Sequence, residues 1–301
     1  MRFLLAGALV ATAMAQNTSL NGPVPGLVYD RESNSVRLMI GLPGSAYLGE
    51  ALAGNVSAAS VSPNGNAALI ARGEAVSLLR GAGNVALDGA EGATRFAWNN
   101  SGTSAALYNA ASGAVQVWTN LDQNPSRGET RNVARLGNPT ALAFDGVNVI
   151  AGTPSGVWVL GENSAPKQAA QASNPVALAI AGANLYFADA ETNQIWEVRD
   201  YAGAAAQVLF ADGRDGVASP AGLGLFNNNT RLAVANASSV DVFEIASHAS
   251  LGHVELDFAP TRLEALGNLA LLNYGKSGEP LYVLQAAENL QVYFVPAGRE
   301  Q

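Results

Sequence analysis

Along almost the whole chain, short runs of apolar residues at alternate positions are separated by polar turns. Leu185-Tyr186-Phe187-Ala188-Asp189 and Ile195-Trp196-Glu197-Val198 flank the turn Ala190-Glu191-Thr192-Asn193-Gln194, and Leu27-Val28-Tyr29-Asp30 and Val36-Arg37-Leu38-Met39 flank Arg31 to Ser35 in the same register. Further pairs are Ala105 to Tyr108 with Val115 to Trp118, Val149 to Ala151 with Val157 to Leu160, Leu232 to Ala235 with Val240 to Phe243, and Leu269 to Asn273 with Leu281 to Leu284. Alternation around Gly, Asn and Ser turns predicts β-hairpins.

A second phrase precedes most of these hairpins: proline, two small residues, an apolar residue, a small residue, an apolar residue. It reads Pro139-Thr140-Ala141-Leu142-Ala143-Phe144, Pro175-Val176-Ala177-Leu178-Ala179-Ile180 and Pro220-Ala221-Gly222-Leu223-Gly224-Leu225, and more weakly Pro260-Thr261-Arg262-Leu263-Glu264-Ala265. Thr94-Arg95-Phe96-Ala97-Trp98 and Ser57-Ala58-Ala59-Ser60-Val61 fit the slot without the proline. The copies end at 61, 98, 144, 180, 225 and 265, a spacing of about forty residues.

This repeat predicts an all-β fold: a β-propeller, preferred at seven blades of mostly four antiparallel strands, with six as the alternative. Small residues suit the crowded strands around a propeller's axis, and the apolar positions point between blades. The first hairpin has no apolar strand before it, because Asn17 to Asn21 is polar. Ring closure is therefore expected through the C-terminal strand Leu290-Gln291-Val292-Tyr293-Phe294-Val295, either as the outermost strand of the last blade or as part of the first.

The period, the proline-started small-residue strand and the Tyr186-Phe187-Ala188-Asp189 hairpin resemble propellers of the NHL and YVTN repeat type. Ala211-Asp212-Gly213-Arg214-Asp215-Gly216 before Ser219-Pro220 also resembles an inter-blade segment of NHL repeats. The resemblance implies a fold that serves interaction platforms, surface proteins and a few enzymes, and so transfers little about activity.

Composition narrows the classes. Charged residues make up only 13% of the chain and glycines number 32, which suits strands and tight turns. The net charge is −8 and no run of Lys or Arg exists, so a nucleic-acid partner is not expected. The absence of cysteine excludes disulfides, Cys-ligated zinc and thiol nucleophiles. Arg2, the apolar run Phe3 to Thr12 and Ala13-Met14-Ala15 read as a signal peptide over residues 1–15, leaving one propeller domain over 16–301 in the periplasm or outside the cell. No later segment has the length and apolarity of a membrane span, and a monomer is expected.

Several constellations invite chemistry. Gly81-Ala82-Gly83-Asn84-Val85-Ala86 satisfies G-x-G-x-x-A, but Asp88-Gly89 and Gly92 follow where a helix should begin, so it reads as a turn. His248 and His253, near Glu255 and Asp257, read as structural or solvated, since a metal site wants three convergent ligands. Asp212 to Gly216 lacks the ligand number of a calcium loop and reads as a polar turn. The five Asn-x-Ser/Thr sequons start at Asn17, Asn55, Asn99, Asn228 and Asn236.

Asn138, Asn174 and Ser219 each precede the proline of a phrase, Glu91 lies two residues before the equivalent of that proline, and all should ring one channel mouth. Gluconolactonase-like propellers hold a divalent cation with an acidic and asparagine cluster. By that resemblance Glu91, Asn138 and Asn174, with Asp189 or Asp145, are candidate ligands for calcium or another divalent cation. The competing reading is that these Asx side chains cap turns. The preferred function is a non-enzymatic binding or scaffold module for a protein, peptide or glycan, with no catalytic residues or cofactor. The alternative is a metal-dependent, lactonase-like hydrolase.

Overall fold

The computed structural model describes residues 25–81, 83–273, 281–286 and 290–296. The signal peptide expected at 1–15 and the sequon at Asn17 lie outside the described residues.

Seven antiparallel sheets follow one another along the chain. The first comprises β1 (Gly26–Asp30), β2 (Ser35–Ile40) and β3 (Tyr47–Ala53), and the second β4 (Ala58–Val61), β5 (Ala67–Arg72), β6 (Ala75–Arg80) and β7 (Gly83–Ala86). The third holds β8 (Ala93–Trp98), β9 (Ala105–Asn109), β10 (Ala114–Thr119) and β11 (Ser126–Asn132), and the fourth β12 (Ala141–Phe144), β13 (Val149–Thr153), β14 (Gly156–Leu160) and β15 (Lys167–Ala170). The fifth is β16 (Pro175–Ala181), β17 (Asn184–Asp189), β18 (Gln194–Arg199) and β19 (Ala206–Ala211); the sixth is β20 (Gly222–Phe226), β21 (Arg231–Ala235), β22 (Ser239–Glu244) and β23 (Ser250–Glu255). The seventh is β24 (Arg262–Leu266), β25 (Leu269–Asn273), β26 (Leu281–Gln285) and β27 (Gln291–Val295). The chain is a seven-bladed β-propeller.

Each small-residue phrase forms the inner strand of a blade, and each predicted hairpin its second and third strands. Period-two alternation explains the packing. In β17, Leu185 and Phe187 join a buried cluster shared with the fourth sheet, whereas Tyr186 and Ala188 join one shared with the sixth. The middle strand of a blade is thus glue between its two neighbours. Trp98 and Trp118 are buried in the cluster between the second and third sheets, and Trp98 Nε1 donates to Ser60 O at 3.1 Å across that seam.

The C-terminal strand takes the outermost place of the last blade, where β27 pairs with β26. Closure is then a packing event: Leu266, Leu271, Val283 and Val295 from the last sheet join Leu27, Val28 and Val36 of the first and Ala59, Ile70 and Leu79 of the second in one cluster.

Among the described residues the first sheet has no inner strand. Leu27 N donates to Gly65 O at 2.8 Å, and Gly267 N donates to Pro63 O at 2.7 Å, so turns of the second and seventh sheets meet in front of β1. Gly65 has φ +74°, and a Cβ there would sit 2.9 Å from Gly26 Cα; both the turn and the close approach require glycine. The other end of β1 is left facing the channel.

The G-x-G-x-x-A segment corrects the expectation of a plain turn. Residues 83–86 are β7, the outermost strand of the second sheet, fully exposed along its length, and only Gly81 stands in the left-handed turn before it. Asp212 to Gly216 is the expected polar turn, tightened by a reciprocal capping box between Asp212 and Asp215. Asparagine is abundant for a similar reason. Asn34, Asn55, Asn120, Asn163, Asn193, Asn227, Asn228 and Asn229 all have positive φ, a conformation Asn tolerates better than other residues with a side chain.

Candidate functional site

The inner strands enclose a central channel with two mouths. At the first, a cavity of about 690 Å³ is lined by the N-terminal halves of six inner strands and, from the first blade, by Tyr29, Arg31 and Asn34. At the second, a cavity of about 590 Å³ is lined by the C-terminal halves of inner strands and by turns carrying Asn64, Asn100, Asn227, Asn228, Asn229 and Asn268.

The sequence candidates sit in the connections at the first mouth's end of the ring, outside the cavity lining. Asn174 and Asp189 are brought together. Asn174 N donates to Asp189 Oδ1 at 3.1 Å, and the buried Asp189 carboxylate also accepts Ser173 N at 2.8 Å and Glu191 N at 3.1 Å. Asn138 Oδ1 instead accepts the Tyr108 hydroxyl at 2.8 Å. Glu91 is exposed, and the Gly89 N–H that it accepts at 2.8 Å holds its carboxyl below the usual range. Among the described residues no three His, Asp or Glu side chains are grouped so as to hold a metal ion.

Asp145 faces away from these, at the turn after β12. Burial opposes its ionisation. Hydrogen bonds from the Tyr201 hydroxyl at 2.5 Å, from Asn148 Nδ2 and from the Val147 and Asn148 N–H groups outweigh that, so its carboxyl stays below the usual value. Tyr201 belongs to the neighbouring blade, so this carboxylate is an inter-blade tie.

His253 lies on β23, between two carboxylates. Its Nδ1 is 2.8 Å from Asp241 Oδ1 and its Nε2 is 3.0 Å from Glu255 Oε1. Asp241 is buried and also accepts Asn236 Nδ2 at 2.7 Å and Ser239 Oγ at 3.1 Å. Glu255 and then Asp241 raise the imidazole above its ordinary 6.5. A raised folded-state value gives stability that is complete below the unfolded value and disappears as pH rises through the folded one. Stability is therefore expected to fall from about pH 6 into the weakly alkaline range. The ring is half-exposed, so the loss stays within about 1 kcal/mol. Urea titrations across that pH range check this, and His253→Gln flattens the profile. The same network buries Asn236, which removes its sequon from glycan chemistry, whereas Asn55 and Asn228 are exposed.

Sequence reasoning missed the arginines. The first mouth carries Arg31, Arg95 and Arg262, and among the described residues no Asp or Glu lines it. Arg262 forms an ion pair with Glu264, which stands outside the lining. Arg31 lies over the Tyr29 ring, 5.9 Å from its centroid. Arg95 and Arg31 have no carboxylate partner among the described residues. A signal did exist: Arg95 and Arg262 both follow a threonine in a slot that Ala141, Ala177 and Gly222 occupy in other copies.

A scan of protein-family models returns no match, and a search of curated proteins returns none. Solved structures are similar in fold. A 6-phosphogluconolactonase candidate from Bacteroides uniformis ATCC 8492 shares 15% identity at a TM-score of 0.64, over 90% of this chain and 96% of that one. The RRP9 WD40 repeats share 15% identity at 0.57, over 81% of each chain. A chain of the mitotic checkpoint complex shares 16% at 0.58, over 98% and 99%. At these identities the likeness extends to the propeller fold.

Proposed function

We propose that this protein is a non-enzymatic binding module, exported to the periplasm or the cell exterior, that presents one channel mouth to a protein, peptide or glycan partner. The observation that carries the reading is the first mouth itself: side chains from all seven blades converge on one open cavity of about 690 Å³. Inter-blade clusters fix the strands that line it, so the surface is pre-formed and little ordering entropy is lost on binding. Propellers of similar architecture in the RRP9 WD40 repeats and in the mitotic checkpoint complex support a role in assembly. The candidate ligands Asp189 and Asn138 already serve turns and a tyrosine hydroxyl, which favours their role as caps.

The test is affinity capture from an extracellular or periplasmic fraction, paired with calcium titration. The expected result is a retained partner and no stoichiometric ion. Stoichiometric calcium uptake that disappears in Asn138→Ala or Asn174→Ala overturns the reading in favour of a lactonase-like hydrolase with its cation among Glu91, Asn138, Asn174 and Asp189.

A further inference from the structure

We infer that the first channel mouth is a binding site for a small oxyanion carrying two or more carboxylate or phosphate groups, held by Arg31 and Arg95. The inference goes beyond partner binding, because it holds whether or not a macromolecule uses the same face.

Three observations carry it. The first is charge. The chain as a whole has a net charge of −8, yet among the described residues this cavity is lined by three arginines and by no Asp or Glu. Arg31 and Arg95 thus face a shared space with no carboxylate to answer them, and Arg262 adds a third guanidinium tied to Glu264. Like charges gathered at one mouth repel one another, and an anion placed between them removes that cost. Guanidinium forks match carboxylate and phosphate oxygens in bidentate geometry.

The second is arrangement. Blades seven, one, two and three are consecutive around the ring, and they carry Arg262, Arg31, Ser57 and Arg95. The facing blades four to six contribute Thr140, Ala141, Leu142, Val176, Leu178 and Leu223, none of them charged. The mouth therefore has a cationic wall and a neutral wall, which would orient an anion with an apolar or hydroxylated body. Ser57 and Thr140 are already engaged with backbone carbonyls. Asn34 engages Val56 N through its backbone carbonyl at 2.9 Å, and its side chain and the Thr94 hydroxyl stand in the same lining as Arg31 and Arg95.

The third is contrast. The second mouth is of similar size, is ringed by asparagines and carries no charged side chain. The arginines are therefore a property of one mouth and not of the repeat. A cavity of about 690 Å³ lies within the range of small-molecule sites, about 300–1,000 Å³.

The experiment is isothermal titration of the full chain with citrate, pyrophosphate and, as a neutral control, glucose, at low and at physiological salt. The expected result is one-to-one binding of citrate, pyrophosphate or both, weakening as salt rises, with no glucose binding. Preference for citrate marks a carboxylate ligand and preference for pyrophosphate a phosphate ligand; either supports the site. Arg31→Gln and Arg95→Gln should each weaken binding by about ten- to a hundredfold, the worth of a charged hydrogen bond. Both residues are exposed, so the fold should survive, and an unchanged thermal midpoint verifies it. Arg31→Lys keeps the charge and should retain part of the affinity. No binding of either anion, or weak binding that the two glutamine variants leave unchanged, overturns the inference. Success here with failed partner capture leaves a small-molecule binder; the converse leaves a partner module without an anion site.

Discussion

Replacing Phe187 by alanine is expected to lower folding stability by about 3–5 kcal/mol. Phe187 is fully buried in the cluster between the fourth and fifth blades and stacks on Trp196 with ring centroids 6.5 Å apart. Its ring fills space that Ile150, Val157 and Leu185 border from both sheets, so truncation opens a cavity at a blade seam. Because each seam is also part of the ring, neighbouring blades cannot collapse inward without pulling their other seams apart. The thermal midpoint should fall by roughly 10 °C. Phe187→Leu keeps most of the volume and should cost less than about 1.5 kcal/mol. A loss under 1 kcal/mol for the alanine variant would contradict the packing described.

Gly222→Val is expected to cost about 3 kcal/mol, at the upper end for overpacking. A Cβ at Gly222 would sit 2.6 Å from Leu263 N and 2.9 Å from Leu263 Cβ, on the adjoining inner strand. The first of these atoms is backbone, so no rotamer change relieves the clash, and β20 and β24 must separate. The variant tests why the repeat uses small residues near the axis. Denaturant melting of Gly222→Ala and Gly222→Val should show a graded loss. Wild-type stability in both would mean that the inner strands stand further apart than described.

The sequence carried most of the architecture because its signals coincide with burial. Inner strands announce themselves through Pro139, Pro175 and Pro220 and the small residues behind them. Hairpins such as Leu185 to Val198 are apolar at successive positions because neighbouring blades bury both faces, alternate residues going to opposite seams. Apart from β27, which was expected from Leu290 to Val295, the outer strands were not legible. β7, β11 and β23 face solvent, and Ser126 to Asn132 reads Ser-Arg-Gly-Glu-Thr-Arg-Asn, with no apolar alternation to mark a strand. Edge strands need backbone pairing and polar side chains, and that combination looks like a loop.

The candidate site was legible only in part. Asn174 meets Asp189 through its backbone N–H, the turn-capping contact that the competing reading expected of such Asx side chains. The arginine mouth escaped because its members are separated along the chain and occupy different repeat positions: Arg31 in a hairpin turn, Arg95 and Arg262 in inner strands. Arg31 shares the channel lining with Arg95 and Arg262 only through the closure of the ring, which no local pattern contains.

The most direct test of the central claim, that the arginine-bearing mouth is where this propeller binds, is a crystal structure grown with saturating citrate or pyrophosphate. The predicted result is the anion seated in the first mouth with oxygens within hydrogen-bond distance of the Arg31 and Arg95 guanidiniums. An anion seated at the second mouth or on the outer strands, with the first mouth unchanged, would contradict it.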